Sequence, residues 1–231
     1  FFKAAKKFGL KPIIGCEVYV APGSRFEKTL SPGEESNFHL TLLIQNNQGY
    51  ANLIKLVSLG YLQGFYYKPR IDMELLAQYS QGLIVLTGCL RGEIASNLIK
   101  GQYDKALQKA NQFKEIFGEN LYLEIQDQGL EEQRQINREI VKLSQQMGIP
   151  LVATNDCHYL DKNDAKAHEI LLCVQTGKTL SDPKRMHFSS DQFYFKSPKE
   201  MELVFSELPQ ALSNTMAIAE RCNLEIEFGQ T

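Results

Sequence analysis

Short apolar runs alternate along this chain with longer amphipathic segments, and this alternation constrains the fold more than any other feature. The runs are rich in β-branched and aromatic residues and are bounded by Gly, Pro, Asn or Asp, as strands are. They occupy residues 12–20, 38–45, 83–87, 121–126 and 150–154. Apolar strands separated by helices predict an α/β fold in which helices cover a parallel sheet, either a barrel or a doubly wound sheet.

The amphipathic segments predict helices over residues 48–60, 71–79, 94–100, 103–117, 130–147, 162–175 and 209–223. In 130–147, for example, Ile136, Ile140 and Leu143 recur at helical spacing. Residues 193–195 (FYF) predict a further short strand, and the Pro-, Gly- and Ser-rich residues 21–37 predict a surface loop. The first nine residues, FFKAAKKFG, have the pattern of the end of a helix, so we expect the chain to begin inside a domain.

The composition excludes several classes of protein. Of the 231 residues, 43% are hydrophobic and 23% are charged, which is ordinary for a globular protein and unlike disordered or collagenous chains. No apolar run approaches the roughly 20 residues of a membrane-spanning helix, so no membrane contact is expected. The net charge of −2 gives no overall attraction for nucleic acid, and any such contact would therefore be local.

The cysteines indicate the cellular compartment. Their number is odd and no CxxC pair occurs, which favours reduced thiols over a disulfide framework. No signal-peptide pattern is visible, so a cytoplasmic protein is expected. The five are Cys16, Cys89, Cys157, Cys173 and Cys222.

Five side chains with metal-binding chemistry lie in or beside the predicted strands. Cys89 follows LIVLTG, and Asp156 and His158 follow PLVATN, at the carboxyl ends where α/β folds collect their sites. Glu17 lies inside the apolar run PIIGCEVYV, where an unpaired carboxylate is costly. His39 begins FHLTLLIQ, which is the opposite end of a strand from the one expected.

Each of these residues also has an ordinary structural explanation. A buried Glu can pair with an Arg, a lone Cys is often a small apolar core residue, and an Asp after a strand often caps a helix. Their joint occurrence over four strand-to-helix units is harder to explain by packing. Oxygen, nitrogen and sulfur donors together suit Zn, Mn or Fe.

A second candidate site is the segment GFYYKPRID at residues 64–72. Tyr67 could stack on a base, and Lys68 and Arg70 could pair with a nucleic-acid backbone. A loop whose tyrosines pack on the sheet explains the same residues equally well.

Several longer motifs resemble one known family. In order, GCEVYV, FHLTLLIQN, GFYYKPRID, LTGCLRGEIA, ATNDCHYL, DAKAHEILLCVQTGKT and NTMAIAERCNLEIEFG are similar to the PHP (polymerase and histidinol phosphatase) domain of bacterial DNA polymerase III alpha subunits. The resemblance covers essentially the whole chain. It implies a distorted (β/α)7 barrel with a metal cluster at the carboxyl ends of its strands. The family's ligand positions fall on Glu17, His39, Cys89, Asp156 and His158.

The resemblance also implies which parts of the family's chain lie outside these residues. The barrel's N-terminal strands, with an HxH pair and further Asp and His ligands, would precede Phe1. The polymerase palm, with its catalytic carboxylates and Mg²⁺, would follow Thr231. Residues 1–231 would then form one PHP domain, of which about 197–231 lead toward the palm, and this piece alone would not polymerise.

The function implied by the resemblance is that of a bacterial replisome component. The parent chain would be a DNA-directed DNA polymerase, a nucleotidyltransferase, with DNA, a proofreading exonuclease and the sliding clamp as partners. The intact PHP domain would carry a metal-dependent 3′→5′ exonuclease or phosphoesterase activity. The alternatives are a non-catalytic scaffold that docks a proofreading exonuclease, and a free-standing PHP phosphatase acting on small phosphate esters.

Overall fold

The computed structural model describes residues 1–30, 33 and 35–229. The strands are β1 (Gly15–Val20), β2 (Phe38–Ile44), β3 (Phe65–Tyr66), β4 (Lys68–Ile71), β5 (Leu83–Leu86), β6 (Leu121–Gln126) and β7 (Leu151–Thr154). The helices are α1 (Phe2–Lys7), α2 (Asn47–Leu62), α3 (Met73–Gln78), α4 (Glu93–Ile99), α5 (Tyr103–Phe117), α6 (Glu131–Met147), α7 (Ala165–Thr176), α8 (Pro198–Val204) and α9 (Pro209–Arg221). Short 3₁₀ helices span Gly118–Asn120 and Lys162–Asp164. Among the residues described, no helix has the length and apolar character needed to cross a membrane.

The predicted α/β architecture is confirmed. The five apolar runs form β1, β2, β5, β6 and β7, and each of the seven predicted helices is present. Three further elements, β3, β4 and α8, were not predicted. The segment at 64–72, expected as a loop, contains the hairpin of β3 and β4, and α8 lies in the region expected only to lead onward from the domain.

The seven strands form one sheet in the order β3-β4-β1-β2-β5-β6-β7. The expected parallel pairing holds for β5 with β6, β6 with β7 and β1 with β4, but β2 is antiparallel to both β1 and β5. The connection from β1 to β2 contains no helix in its described residues, and strands joined without a crossover helix pair antiparallel. Over the described residues the sheet stays open, with β3 and β7 at its edges, so the barrel that the resemblance implies is not closed.

Both faces of the sheet are covered, but unequally. Leu40, Leu42 and Ile44 of β2 belong to the main core, to which α2, α5 and α6 contribute. A smaller cluster lies on the other face, where α9 packs against the sheet. It consists of Ile84, Leu86, Tyr122, Val152, Ile218 and Cys222. The helices are therefore concentrated on one face. The other face is left accessible near the end of β1 and the start of β2, where Glu17 and His39 are only partly covered.

The start of α2 shows how local chemistry sets an element boundary. Asn46 is extended, and its side chain accepts a hydrogen bond of 3.0 Å from the backbone N–H of Gly49. Gly49 packs against the turn that precedes β5, and a Cβ on Gly49 would lie 1.8 Å from the carbonyl oxygen of Gly82. Only glycine fits this contact between helix and sheet.

The short strand predicted at 193–195 is not formed. Tyr194 instead makes an isolated bridge with Tyr159, and the backbone N–H of His158 donates to the carbonyl of Phe193 at 2.8 Å. The apolar FYF segment therefore lies along the loop that follows β7, instead of joining the sheet.

Candidate metal centre

The antiparallel direction of β2 explains the placement of His39. His39 pairs with Tyr19 in the β1–β2 ladder, and so the start of β2 lies beside the carboxyl end of β1. The backbone N–H of His39 donates to the carbonyl of Arg91 at 3.0 Å, which joins the start of β2 to the loop after β5. His39 therefore lies at the same end of the strands as the other candidate residues, although it begins its own strand.

Glu17 and His39 are in direct contact. Glu17 pairs with Thr41, and its Oε1 lies 3.0 Å from Nδ1 of His39. The hydrogen bond from His39 is the main cause that holds the pKa of Glu17 below its usual value. The ring of Tyr19 packs edge-on against the imidazole of His39, with 5.3 Å between ring centroids. The carboxylate expected to need a partner inside an apolar run has one in His39.

Cys89 approaches the same imidazole from the loop after β5. Its Sγ lies 3.8 Å from Nδ1 of His39. The turn before it requires glycine, since Gly88 has a φ of 86° and a Cβ there would lie 2.7 Å from the carbonyl oxygen of His39. Burial, and then the charges of Asp156 and Glu17, raise the pKa of the Cys89 thiol to about 12.

Asp156 and His158 lie in the loop after β7. Asp156 has a φ of 48°, a left-handed conformation that is uncommon outside glycine and is found at functional sites. Nδ1 of His158 lies 2.6 Å from the backbone carbonyl oxygen of Asp156 and 4.0 Å from the side-chain Oδ1 of Asp156. Burial raises the pKa of the Asp156 carboxyl, and the nearby charge of Glu17 raises it further.

The five predicted residues thus fall into two groups, which lie at one end of the sheet's strands. Glu17, His39 and Cys89 are in contact, and Asp156 with His158 forms a second pair that influences the first electrostatically. In the described part of the chain, no three His, Cys, Asp or Glu side chains form a ready-made coordination sphere. The donors are gathered, but they are hydrogen-bonded to one another and to the backbone.

Glu124, in β6, is a residue that sequence reasoning missed. Its side chain is buried and accepts hydrogen bonds from the backbone N–H of Gly88 and the hydroxyl of Thr154. Burial raises the pKa of the Glu124 carboxyl. The signal was present in LYLEIQ, where a carboxylate interrupts an apolar run as Glu17 does in its own strand.

His168, in α7, packs among aromatic rings. Its ring centroid lies 5.5 Å from that of His158 and 5.0 Å from that of Phe188. Burial lowers the pKa of His168. The rings of His168 and Phe188 therefore pack against the imidazole of His158 and restrict its orientation.

The residues predicted to contact nucleic acid lie in different environments. Tyr67, at the turn between β3 and β4, is 75% exposed, and Lys68 is exposed beside it. Arg70 is only 2% exposed, and its guanidinium donates to four backbone carbonyls. They belong to Arg25, Glu27, Ser36 and Gly64. The structure therefore gives Arg70 a structural role in holding the loop after β1, and the candidate contact is reduced to Tyr67 and Lys68.

Comparison with known sequences identifies the fold. A sequence model described as "PHP domain" matches residues 1–128, which is more than half of the chain. The chain belongs to the PHP domain family. Metal dependence is common in PHP domains, and Glu17, His39 and Cys89 lie inside the matched part, while Asp156 and His158 lie beyond it.

Relatives of this PHP domain extend the similarity over nearly all of its residues. The DNA polymerase III subunit alpha of Thermus aquaticus is 44% identical over 233 residues, covering 99% of this chain and 19% of its own. Those of Deinococcus radiodurans and Borreliella burgdorferi are 45% and 44% identical, covering 100% and 96% of this chain and 18% and 19% of their own. The PHP domain described here therefore spans about a fifth of the length of these relatives.

Proposed function

We propose that this chain is the PHP domain of a bacterial replicative DNA polymerase, with a divalent metal centre at Glu17, His39, Cys89, Asp156 and His158. The observation that carries the proposal is the near-complete coverage of the chain by relatives described as DNA polymerase III subunit alpha. The parent chain, in the cytoplasm, would extend DNA by nucleotidyl transfer with Mg²⁺ in a palm outside these residues.

The donor set fits a metal of the Zn, Mn and Fe group. Carboxylate oxygen, imidazole nitrogen and thiol sulfur together suit these ions better than Mg²⁺ or Ca²⁺. The charge of Glu17 disfavours the ionised form of Asp156, and both carboxylates disfavour the thiolate of Cys89. A cation between them removes this repulsion and favours the deprotonated thiol that binds metal.

The hydrogen bonds of the two histidines support the same assignment. Nδ1 of His39 faces Glu17, and Nδ1 of His158 faces the carbonyl of Asp156. A proton on Nδ1 leaves the lone pair of Nε2 for a metal, and metal-binding histidines are usually oriented in this way. In this arrangement Glu17 and the loop after β7 orient the imidazoles as well as supplying oxygen atoms.

The chemistry that suits this centre is hydrolysis of a phosphodiester at the 3′ end of DNA. Water adds to phosphorus and the bond to the leaving 3′ oxygen breaks. Divalent ions supply charge neutralisation and acidify water in such reactions. The protein's own part is to orient the two imidazole rings and to gather the negative donors. The loop after β5 bonds to His39 at the start of β2, and the backbone carbonyl of Asp156 orients the ring of His158.

The hairpin of β3 and β4 would hold the DNA strand. Nζ of Lys68 lies 5.4 Å from the ring centroid of Tyr19, and that ring packs on His39. Lys68 is therefore at the rim of the candidate centre, where it would neutralise a backbone phosphate. The exposed ring of Tyr67, next to it, would stack on a base.

The test is cleavage of single-stranded DNA by the full-length protein in the presence of Mn²⁺ and without nucleoside triphosphates. Wild type should shorten the strand from its 3′ end, and Asp156→Asn should reduce cleavage to background. Asp104→Asn, which removes the same charge from the start of α5, should cleave as wild type does. Equal cleavage by wild type and Asp156→Asn would overturn the hydrolytic assignment.

One observation favours a second candidate function, a non-catalytic scaffold that docks a proofreading exonuclease. In the described residues the donors bond to each other, and no three of them form an open coordination sphere. Full metal content without cleavage, together with binding of a purified proofreading exonuclease, would support the scaffold. Cleavage of small phosphate esters but not of DNA would support a PHP phosphatase.

A further inference from the structure

Glu124 connects two loops that the backbone ladders leave separate. The ladder between β5 and β6 ends at the pair Leu86 and Tyr122, and so the turn that carries Cys89 lies beyond it. At that point side-chain bonds replace ladder bonds. Oε2 of Glu124 accepts from the backbone N–H of Gly88 at 2.9 Å, and the backbone N–H of Glu124 donates to Oγ1 of Thr87 at 2.9 Å.

The other carboxylate oxygen of Glu124 faces β7. Oε1 accepts from the hydroxyl of Thr154 at 2.5 Å and from the amide of Gln126 at 3.1 Å. Thr154 is the last residue of β7, two positions before Asp156. One buried side chain is thus bonded to the residue before Cys89 and to the strand end that leads into Asp156.

Within the part of the chain that the structure describes, no cation pairs with Glu124 to explain its burial. Burying a carboxylate is costly, and its three neighbours are all neutral donors with no cation among them. A glutamine or leucine would fill the same strand position at lower cost. The bonds made by Glu124 instead fix the separation of the two loops that supply donors to the candidate centre.

We propose that Glu124 is a positioning residue that sets the spacing between Cys89 and Asp156 for metal binding. This inference rests on the proposed function, since it concerns the same metal centre. Partners of metal ligands that hold the ligands in place typically contribute roughly 10–100-fold to metal affinity.

Co²⁺ is a suitable probe, because its thiolate charge-transfer band reports a bond to cysteine sulfur, and the part of that band lost in Cys89→Ser belongs to Cys89. In the full-length protein, Glu124→Gln places an amide N–H against donors that the carboxylate accepts from. We expect it to weaken Co²⁺ binding roughly 10–100-fold and to lower the thiolate band at saturating Co²⁺. Glu115→Gln, on the exposed side of α5, should behave as wild type.

A matched pair at Thr154 keeps the inference testable if Glu124→Gln fails to fold. Thr154→Val preserves the shape of the side chain but removes the hydroxyl that donates to Glu124, whereas Thr154→Ser keeps the hydroxyl. Thr154→Val should weaken Co²⁺ binding, and Thr154→Ser should bind close to wild type. A purely structural role of the hydroxyl would lower the stability of Thr154→Val and leave the Co²⁺ affinity of the folded protein unchanged.

The outcomes distinguish this inference from the proposed function. Wild type that shows no thiolate band and no tight Co²⁺ binding would contradict the metal centre itself. Wild type with a strong band, together with unchanged affinity and band in folded Glu124→Gln and Thr154→Val, would overturn the role of Glu124 alone.

Discussion

Across the β1–β2 ladder, Nδ1 of His39 lies 3.0 Å from Oε1 of Glu17, although His39 begins its strand and Glu17 lies inside its own. The contact exists because β2 runs antiparallel to β1, so that the first residues of β2 face the last residues of β1. The candidate centre therefore depends on strand direction as much as on the residue types.

The two cations of the β3–β4 hairpin should respond differently to mutation. Arg70→Lys should lower the free energy of unfolding by about 2–3 kcal/mol, since a lysine cannot donate to four separated carbonyls. Lys68→Gln should change it by less than about 0.5 kcal/mol and should weaken binding of single-stranded DNA. Urea unfolding and a DNA titration measure the two effects. Equal stability of both variants would contradict the structural role of Arg70.

The thiol of Cys89 should be unreactive in the metal-free protein. Its pKa of about 12 means that almost all of it is protonated at neutral pH, and the thiolate is the reactive form. In chelator-treated protein, iodoacetamide should therefore label the exposed Cys157 well before Cys89. Peptide mass spectrometry gives both rates, and labelling of Cys89 as fast as Cys157 would contradict its buried, anion-flanked environment.

The start of α8 should show an acid-dependent contribution to stability. Hydrogen bonds from Tyr194, and then from Ser197, lower the pKa of Glu200 to about 2 from an ordinary value of 4.5. A lowered pKa means that the contribution is complete above 4.5 and is lost as the pH falls toward 2. The difference in unfolding midpoint between wild type and Glu200→Gln should therefore shrink over that interval.

Tyr194→Phe provides the control for this titration. It removes the largest cause of the shift, a hydrogen bond of 2.6 Å to Oε1 of Glu200, and keeps the ring. NMR should then show the pKa of Glu200 moving back toward its ordinary value. A pKa unchanged by the loss of the hydroxyl would contradict the assigned cause.

The elements were predictable from the sequence, but the direction of one strand was not. The periodicity of 103–117 and of 121–126 locates α5 and β6 residue for residue, because burial on one face or both leaves a clear pattern. Apolar periodicity carries no information on strand direction, and so β2 was expected to be parallel. His39 appeared to lie at the wrong end of its strand for that reason alone.

The candidate site was predictable in part. Asp156, His158 and Cys89 follow strands and so follow from the carboxyl-end rule, whereas His39 needed the resemblance to support it. Arg70 looks like a surface cation in the sequence KPR. Its burial depends on the loop after β1 folding over the hairpin, a long-range contact that the local sequence does not encode.

The most direct test of the metal centre is anomalous diffraction from crystals of the full-length protein soaked in Mn²⁺. We expect anomalous peaks among Glu17, His39, Cys89, Asp156 and His158, and loss of these peaks in crystals of Asp156→Asn. Absence of any peak among these five residues, or peaks that Asp156→Asn leaves unchanged, would contradict the proposed metal centre.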